Sequence, residues 1–290
     1  MENRNRNNLS LHIDTLGDDL RHTVKLAAES GYAGVAVGIS HPQLAAADFG
    51  MTARRHFMKI LQSRNLNLSA VRVGAGVMGC SDWNHAERLV HQTQRALQMA
   101  RDCRAGVVVI YLGEPPAGTI SGNTGRDASM SGDNDNNGGG VEAITRSVMD
   151  EILASGDRAG INLAMSSGHA AWLASILKKH VSKAVGAALD SARVLAAGDS
   201  PPEAAVKLAG IIHTWICADA VRSGGATQSV LLGSGQGDFR AVADVLDEQD
   251  FSGPVVVDIR GLADPSSAAD HAARLLLEVM QRKSSSSQGG

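Results

Sequence analysis

Short apolar runs recur along the whole chain and alternate with longer stretches in which apolar residues are spaced as on one face of a helix. The runs are rich in Val, Ile, Leu and Ala and are bounded by Gly, Pro or polar residues, which predicts buried strands. Eight such runs are present: LSLHIDTL (9–16), GVAVG (34–38), LSAVRVGAG (68–76), GVVVIYLGE (106–114), INLAMSS (161–167), VGAALDS (185–191), IIHTWICAD (211–219) and VVVDIRG (255–261).

The stretches between the runs predict helices. In DDLRHTVKLAAESG, Leu20, Val24 and Ala27 fall on one face, and Gly31 ends the pattern. The segments AERLVHQTQRALQMARDC, DFRAVADVLDEQ and SAADHAARLLLEVMQRK have the same periodicity. Strands that each precede a helix predict an α/β fold, a single-domain (β/α)8 TIM barrel. An open doubly wound sheet is disfavoured, because IDTLGDD offers a single glycine where a dinucleotide fingerprint needs several.

The predicted barrel covers residues 9–282, between a polar N-terminal tail (1–8) and a disordered C-terminal tail (283–290). One segment interrupts it after the fourth strand, because residues 115–140 are rich in Gly, Ser, Asn and Asp and nearly free of apolar side chains. This composition predicts a flexible insertion at the carboxyl face of the barrel. Such an insertion would be either a mobile lid or an inert loop.

Composition and charge narrow the range of functions. The net charge is −3, so the chain has no basic excess with which to neutralise a nucleic-acid backbone. No window is apolar enough for a membrane span, and the polar N-terminus lacks the pattern of a signal peptide. Cys80, Cys103 and Cys217 are odd in number and far apart, which predicts reduced thiols. We therefore expect a soluble, cytoplasmic protein with no nucleic-acid or membrane partner, and the oligomeric state stays open.

Three phrases resemble one known family, the xylose isomerase-like barrels that include sugar-phosphate isomerases, epimerases and endonuclease IV relatives. KLAAESGYAGVAVG (25–38) is similar to the first helix and second strand of that family. GAALDSARVLAAG (186–198) is similar to its sixth strand, which an Asp ends. LGSGQGDFRAVADVLDEQDFSGPVVVDIRG (232–261) is similar to its final helix and strand. With the strand count, the resemblance covers residues 9–280.

The resemblance implies a divalent metal held by Glu, Asp, His and Glu at the ends of strands five to eight, and proton transfer through an enediolate. The matching positions in this chain are Ser166, Asp190, Trp215 and Asp258. Two carboxylates are few ligands for a divalent ion. We therefore expect no cofactor. If a manganese, zinc or magnesium ion is retained, the candidate metal ligands are Asp190, Asp258 and His213.

Other polar residues near the predicted strand ends are candidates for ligand contacts. Glu114 ends the fourth strand and is a candidate catalytic acid together with Asp258. Arg260 suits a phosphate or carboxylate group on a ligand, or it pairs with Asp258. Arg193 is expected either to pair with Asp190 or to face solvent. The candidate ligand-binding residues are Trp215, Arg260, His169, Ser166 and His12.

Three hypotheses about function follow. The first is a xylose isomerase-like barrel with an eroded metal site that binds a small polar or sugar-like ligand, such as a sugar or sugar phosphate, with weak catalysis or none. The second is an active metal-dependent sugar or sugar-phosphate isomerase or epimerase with displaced ligands. The third is a non-catalytic interaction scaffold that uses the 115–140 loop as its contact surface.

Overall fold

Eight parallel strands close into a barrel in this computed structural model, which describes residues 8–45, 50–74, 83–115, 137–180 and 184–281. The barrel strands are β1 (Leu9–His12), β2 (Gly34–Gly38), β3 (Asn67–Val73), β4 (Val107–Tyr111), β5 (Asn162–Ser166), β6 (Val185–Asp190), β7 (Ile212–Cys217) and β10 (Val255–Val257). Between the last two lies an antiparallel hairpin of β8 (Asp219–Ser223) and β9 (Ala226–Val230). β1 pairs with both β2 and β10, which closes the barrel. The predicted single-domain (β/α)8 barrel is confirmed.

The helices lie between successive strands, as the periodicity predicts. They are α1 (Leu20–Glu29), α2 (Pro42–Ala45), α3 (Met51–Gln62), α4 (Trp83–Cys103), α5 (Asn137–Ala159), α6 (Ala170–Leu177), α7 (Ser191–Ala197), α8 (Pro201–Lys207), α9 (Phe239–Glu248) and α10 (Pro265–Gln281). Because α5 begins at Asn137, the last residues of the expected 115–140 insertion are helical. Residues 116–136 lie outside the described part of the chain, as do both predicted tails apart from Asn8. No helix among the described residues is long and apolar enough to cross a membrane.

Alternate residues of each strand face opposite sides of the barrel wall. One set, exemplified by Leu11, Val108 and Leu189, packs against the helices in the main hydrophobic core. The other set forms a second cluster inside the barrel, and half of its members are alanine: Ala36, Ala70, Val107, Val109, Ala164, Ala188, Ile216 and Val256. Two residues further along, the inward position is polar on five of these strands, at Arg72, Tyr111, Ser166, Asp190 and Asp258. That change builds a polar mouth at the carboxyl ends of the strands, which is where TIM barrels place their sites.

Candidate functional site

The guanidinium of Arg72 spans the barrel mouth from β3 and lies between two carboxylates. Its Nη1 donates to Oδ2 of Asp258 at 2.5 Å, and its Nη2 lies 3.6 Å from Oδ2 of Asp190. Nη1 also lies 3.4 Å from Nδ1 of His12, on the neighbouring side of the barrel. The side chains of Arg72, Asp190 and Asp258 are 11%, 4% and 5% exposed. The mouth therefore holds a buried cation of its own, supplied by the protein.

Asp258 is surrounded by positive groups. Besides Arg72, it accepts from Nε of Arg260 at 2.9 and 3.0 Å and from Nη2 of Arg260 at 2.5 Å. Burial raises the pKa of the Asp258 carboxyl, but Arg72, His12 and Arg260 outweigh burial and hold that pKa well below its usual range. A carboxylate held this firmly in its ionised form is a poor proton acceptor. Of the two expectations for Arg260, the structure shows the pairing with Asp258.

Asp190 has two roles at the end of β6. It is the N-cap of α7, accepting from the backbone N–H of Arg193 at 3.2 Å, and its Oδ2 lies 3.4 Å from Nε of Arg193. The expected alternative in which Arg193 pairs with Asp190 is the one observed. With Arg72 on its other side, this carboxylate also has a cation close to it.

His12 and Ser166 both face the barrel interior near the mouth and are almost fully buried. Nδ1 of His12 lies 3.8 Å from Asp258, and its Nε2 lies 3.6 Å from Asp14, without a hydrogen bond to it. Oγ of Ser166 has no hydrogen-bond partner among the described residues. Buried polar atoms normally have partners, but Nε2 of His12 and Oγ of Ser166 are unsatisfied among the described residues.

Trp215 is not at the mouth, which corrects the expectation that its ring contacts a ligand there. Ile216 belongs to the inner cluster, so its neighbour Trp215 faces outward. Its Nε1 donates to Oγ of Ser191 at 3.1 Å, its ring lies 6.0 Å from that of Phe239, and it is 1% exposed. The residue near the end of β7 that does line the mouth cavity is Ala218, which offers no metal ligand.

His213 is likewise far from the proposed metal ligands. It lies at the amino end of β7, where the register with β6 is irregular, and its Nδ1 is 3.1 Å from the carbonyl oxygen of Leu163. Burial lowers the pKa of this imidazole, partly offset by the Leu163 carbonyl. Asp190 and Asp258 stand at the opposite end of their strands, so the three candidate ligands are not brought together. Among the described residues, no group of three or more His, Cys, Asp or Glu side chains could hold a metal ion.

The donors that the described residues bring to the mouth do not fit the divalent ion that the resemblance implies. Of the four matching positions, Ser166 presents a lone hydroxyl, Trp215 faces the outer wall, and the carboxylates of Asp190 and Asp258 already have guanidinium partners. An ion between Asp190 and Asp258 would have to displace the guanidinium of Arg72 and face its charge.

A second cluster lies at the ends of β4 and β5. Nε2 of His169 is 2.7 Å from Oε2 of Glu114, and the Tyr111 hydroxyl donates to Oε1 of Glu114 at 3.0 Å. The guanidinium carbon of Arg193 lies 3.5 Å from the centroid of the Tyr111 ring, which makes a cation–π contact. Burial and Glu114 raise the pKa of Tyr111 to about 12, although Arg193 lowers it. Arg193 thus connects this cluster to Asp190.

The glycine-rich segment GSGQG (233–237) is built around Asp219, which sequence reasoning did not single out. Asp219 is 3% exposed and accepts from the backbone N–H groups of Gly233, Gly235 and Gly237 at 2.9–3.0 Å. These N–H groups already have an acceptor, so the segment does not form a phosphate-binding loop of the P-loop type. The sequence signal that could have predicted this arrangement is the set of three glycines at alternate positions, which follows an Asp at the end of an apolar run.

A cavity of about 390 Å³ opens beside the two carboxylates. Its wall combines the ends of β6 and β10 with the β8–β9 hairpin and includes Asp190, Arg193, Asp258 and Arg260. This volume suits a small metabolite. The mouth therefore offers a polar cavity lined by paired charges.

A closed parallel barrel with a charged mouth at the carboxyl ends of its strands is the architecture of barrel enzymes and their relatives. The chain belongs to the xylose isomerase-like TIM barrel family, whose model matches residues 24–279. No curated protein sequence matches the chain significantly.

Solved structures of this fold resemble the chain over nearly its whole length. A D-tagatose 3-epimerase-like protein has a TM-score of 0.75 at 16% identity, with 96% of this chain and 100% of that chain covered. A xylose isomerase domain protein from Planctomyces limnophilus has a TM-score of 0.69 at 18% identity, with 95% and 96% covered. A xylose isomerase-like barrel from Mycobacterium smegmatis, in complex with magnesium, has a TM-score of 0.68 at 15% identity, with 90% and 88% covered. At these identities the likeness supports the fold alone.

Proposed function

We propose that this protein binds a small, polar, sugar-like ligand at the barrel mouth without a divalent metal, and that it has weak catalysis or none. The observation that carries this proposal is the position of Arg72, whose guanidinium lies between Asp190 and Asp258. Those residues match the two metal-binding acids that the family resemblance retains. The guanidinium supplies a fixed positive charge there, so the carboxylates need no ion.

The choice of a sugar-like ligand is supported by the chemistry of the mouth and by the neighbours. The wall of the mouth cavity carries charged hydrogen-bond donors and acceptors, among them Asp190, Arg193 and Arg260, and such groups suit the hydroxyl groups of a polyol. Several solved neighbours are named as epimerases of sugars, among them an L-ribulose 3-epimerase with a TM-score of 0.71. The ligand would lie above Arg72, in contact with the side chains of the mouth.

A catalytic alternative rests on one observation, the pairing of Glu114 with His169. The two side chains are 55% and 25% exposed, so solvent or a ligand can reach them. A His–carboxylate pair can accept and return a proton without a metal. In this alternative the protein is an isomerase or epimerase whose acid–base group is displaced from Asp258 to β4 and β5.

Metal analysis tests the first proposal directly. Elemental analysis of the purified protein should find well below one manganese, zinc or magnesium per chain. Addition of manganese or EDTA should leave its melting temperature unchanged. Arg72→Met should gain a manganese response, because the two carboxylates then lack their shared cation. Arg54→Met, which breaks the Arg54–Asp102 pair between helices, should not.

One result would overturn the proposal. If the protein holds one divalent ion per chain, and an Asp190→Ala/Asp258→Ala double variant loses it, Arg72 does not replace a metal.

A further inference from the structure

Two partly exposed arginines, Arg193 and Arg260, line the same cavity at the barrel mouth and are here called the arginine pair. Their side chains are 34% and 53% exposed. Arg260 uses Nε and Nη2 on Asp258, while its Nη1 has no partner within the described chain. Arg193 directs Nε towards Asp190 and stacks on Tyr111. Both guanidinium groups are therefore anchored and still accessible.

The exposed charges of the mouth are positive. Arg72, Arg193 and Arg260 contribute three positive charges and Asp190, Asp219 and Asp258 three negative ones, but these three carboxylates are all nearly buried. Arg72 lies between the two carboxylates and is nearly buried, which leaves the arginine pair as the cations that face the cavity. Asp219 also lines the cavity, but its oxygens accept from the backbone N–H groups of residues 220, 233, 235 and 237.

We infer that the arginine pair is an anion subsite, which takes a carboxylate or phosphate group carried by the small ligand of the mouth. The inference deepens the proposed function. It rests on one part of that proposal, namely that a small ligand binds in this cavity. It narrows the ligand class to hydroxylated acids or phosphate esters.

The geometry favours an oxyanion over a neutral ligand for two reasons. A guanidinium presents planar N–H donors that match the oxygens of carboxylate and phosphate. Each member of the pair is also held in place before binding, by Asp258 for Arg260 and by Asp190 and the Tyr111 ring for Arg193. Less side-chain entropy is then lost on binding than for two free arginines.

The test uses the full chain and two probes, inorganic phosphate and malonate, with binding measured by calorimetry and by thermal shift at constant ionic strength. Chloride at the same ionic strength is the reference. We expect saturable binding of at least one probe. Arg193→Gln and Arg260→Gln should each weaken it about tenfold, which is what the loss of one charge-assisted hydrogen bond costs. Arg222→Gln removes an exposed arginine of the adjacent hairpin that does not line the cavity, so it should bind like the wild type.

The two probes separate the two sources of the anion. Tighter binding of phosphate indicates a phosphate ester, and tighter binding of malonate indicates a carboxylate ligand. Arg193→Lys keeps the charge without the planar donors and should recover only part of the affinity. Far-ultraviolet circular dichroism establishes that each variant is folded.

The inference is wrong if the wild type binds neither probe beyond the chloride reference. It is also wrong if folded Arg193→Gln and Arg260→Gln variants bind as the wild type does, or if Arg222→Gln is weakened equally. Failure of the proposed function looks different: a stoichiometric metal would be found in the protein while the anion data could still hold.

Discussion

Arg72 lies on β3, where the inward residue before it is Ala70, and its long side chain reaches β6 and the end of β10. Two carboxylates buried near each other repel, and each loses hydration. The guanidinium of Arg72 offsets both effects. The two carboxylates in turn compensate its positive charge, which is buried because the side chain is only 11% exposed. At the scale of single residues, the three charges are therefore interdependent.

Arg72→Met should destabilise the protein by about 3–5 kcal/mol, because it leaves Asp190 and Asp258 buried without their shared counter-ion. Urea unfolding followed by circular dichroism measures this loss. Arg54→Met is the matched control. It breaks an ion pair whose side chains are 22% and 24% exposed, and it should cost about 1 kcal/mol or less. Equal losses in the two variants would mean that Arg72 does not hold the carboxylates together.

The two tyrosines of the chain allow the Glu114–Tyr111 contact to be tested by titration. Burial and then the neighbouring charges raise the pKa of Tyr32 beyond the usual range, and burial and Glu114 raise that of Tyr111 to about 12. Absorbance at 295 nm should therefore show no tyrosinate below about pH 11 in the folded protein, whereas denatured chains titrate near pH 10. Glu114→Gln should lower the pKa of Tyr111, because a negative charge that opposes tyrosinate is removed. Arg193→Gln should raise it.

The same shift links Tyr111 to stability. Its folded-state pKa lies above the unfolded value, so its contribution is complete below about pH 10 and is lost as the pH rises towards 12. Unfolding midpoints measured across this window should fall for the wild type and fall less for Glu114→Gln. Identical profiles would contradict the contact.

Sequence reasoning placed several polar residues at the strand ends but misjudged the direction of the Trp215 side chain. Asp190, Asp258, Arg260, His12 and Ser166 all end or follow buried runs, and the structure brings them to the mouth. Trp215 was taken to face inward, yet a strand alternates sides, so an error of one residue moved the ring to the outer wall. The pairing of Arg72 with both carboxylates had no sequence signal, because the contacts join residues more than a hundred positions apart.

Among the elements, the hairpin of β8 and β9 and the glycine segment after it form one local unit organised by Asp219. The carboxylate accepts from the N–H groups of Ala220, Gly233, Gly235 and Gly237, and so holds the start of β8 against the segment that leads to α9. The barrel strands were predictable from their apolar runs. The hairpin was not, because most of its residues are exposed and carry no apolar alternation.

Gly235→Ala should destabilise the protein by about 1–3 kcal/mol, as over-packing does. A Cβ there would meet Oδ1 of Asp219 and would lie 2.6 Å from the carbonyl oxygen of Ala220, and that backbone atom cannot simply move aside. Gly74→Ala is the control, since a Cβ at that position has no atom of the described residues within 4 Å. Denaturant unfolding of both variants checks the prediction, and equal stability would mean that the segment is not clamped by Asp219.

At the scale of the whole molecule, closure of the barrel joins the two ends of the chain. β1 lies between β2 and β10, with Leu9 opposite Val255. The hydroxyl of Tyr32 donates to the carbonyl oxygen of Ala269 at 2.8 Å, which ties the turn between α1 and β2 to α10. The inner cluster contains residues from seven of the barrel strands, β2 to β7 and β10, so each strand packs against side chains from the others. We therefore expect the barrel to open as one unit.

Thiol labelling tests this cooperativity. Cys103 ends α4 and Cys217 ends β7, and both are fully buried, so burial raises the pKa of Cys103 to about 11 and that of Cys217 well above its usual range. In a Cys80→Ser background, which removes the cysteine outside the described residues, neither thiol should react quickly with Ellman's reagent in the folded protein. Both should then be labelled at one shared rate, which increases with denaturant as global unfolding does. Variants that also carry Cys103→Ser or Cys217→Ser show which thiol contributes each part of the labelling signal. Faster labelling of Cys103 than of Cys217 would show instead that α4 detaches while the barrel stays closed.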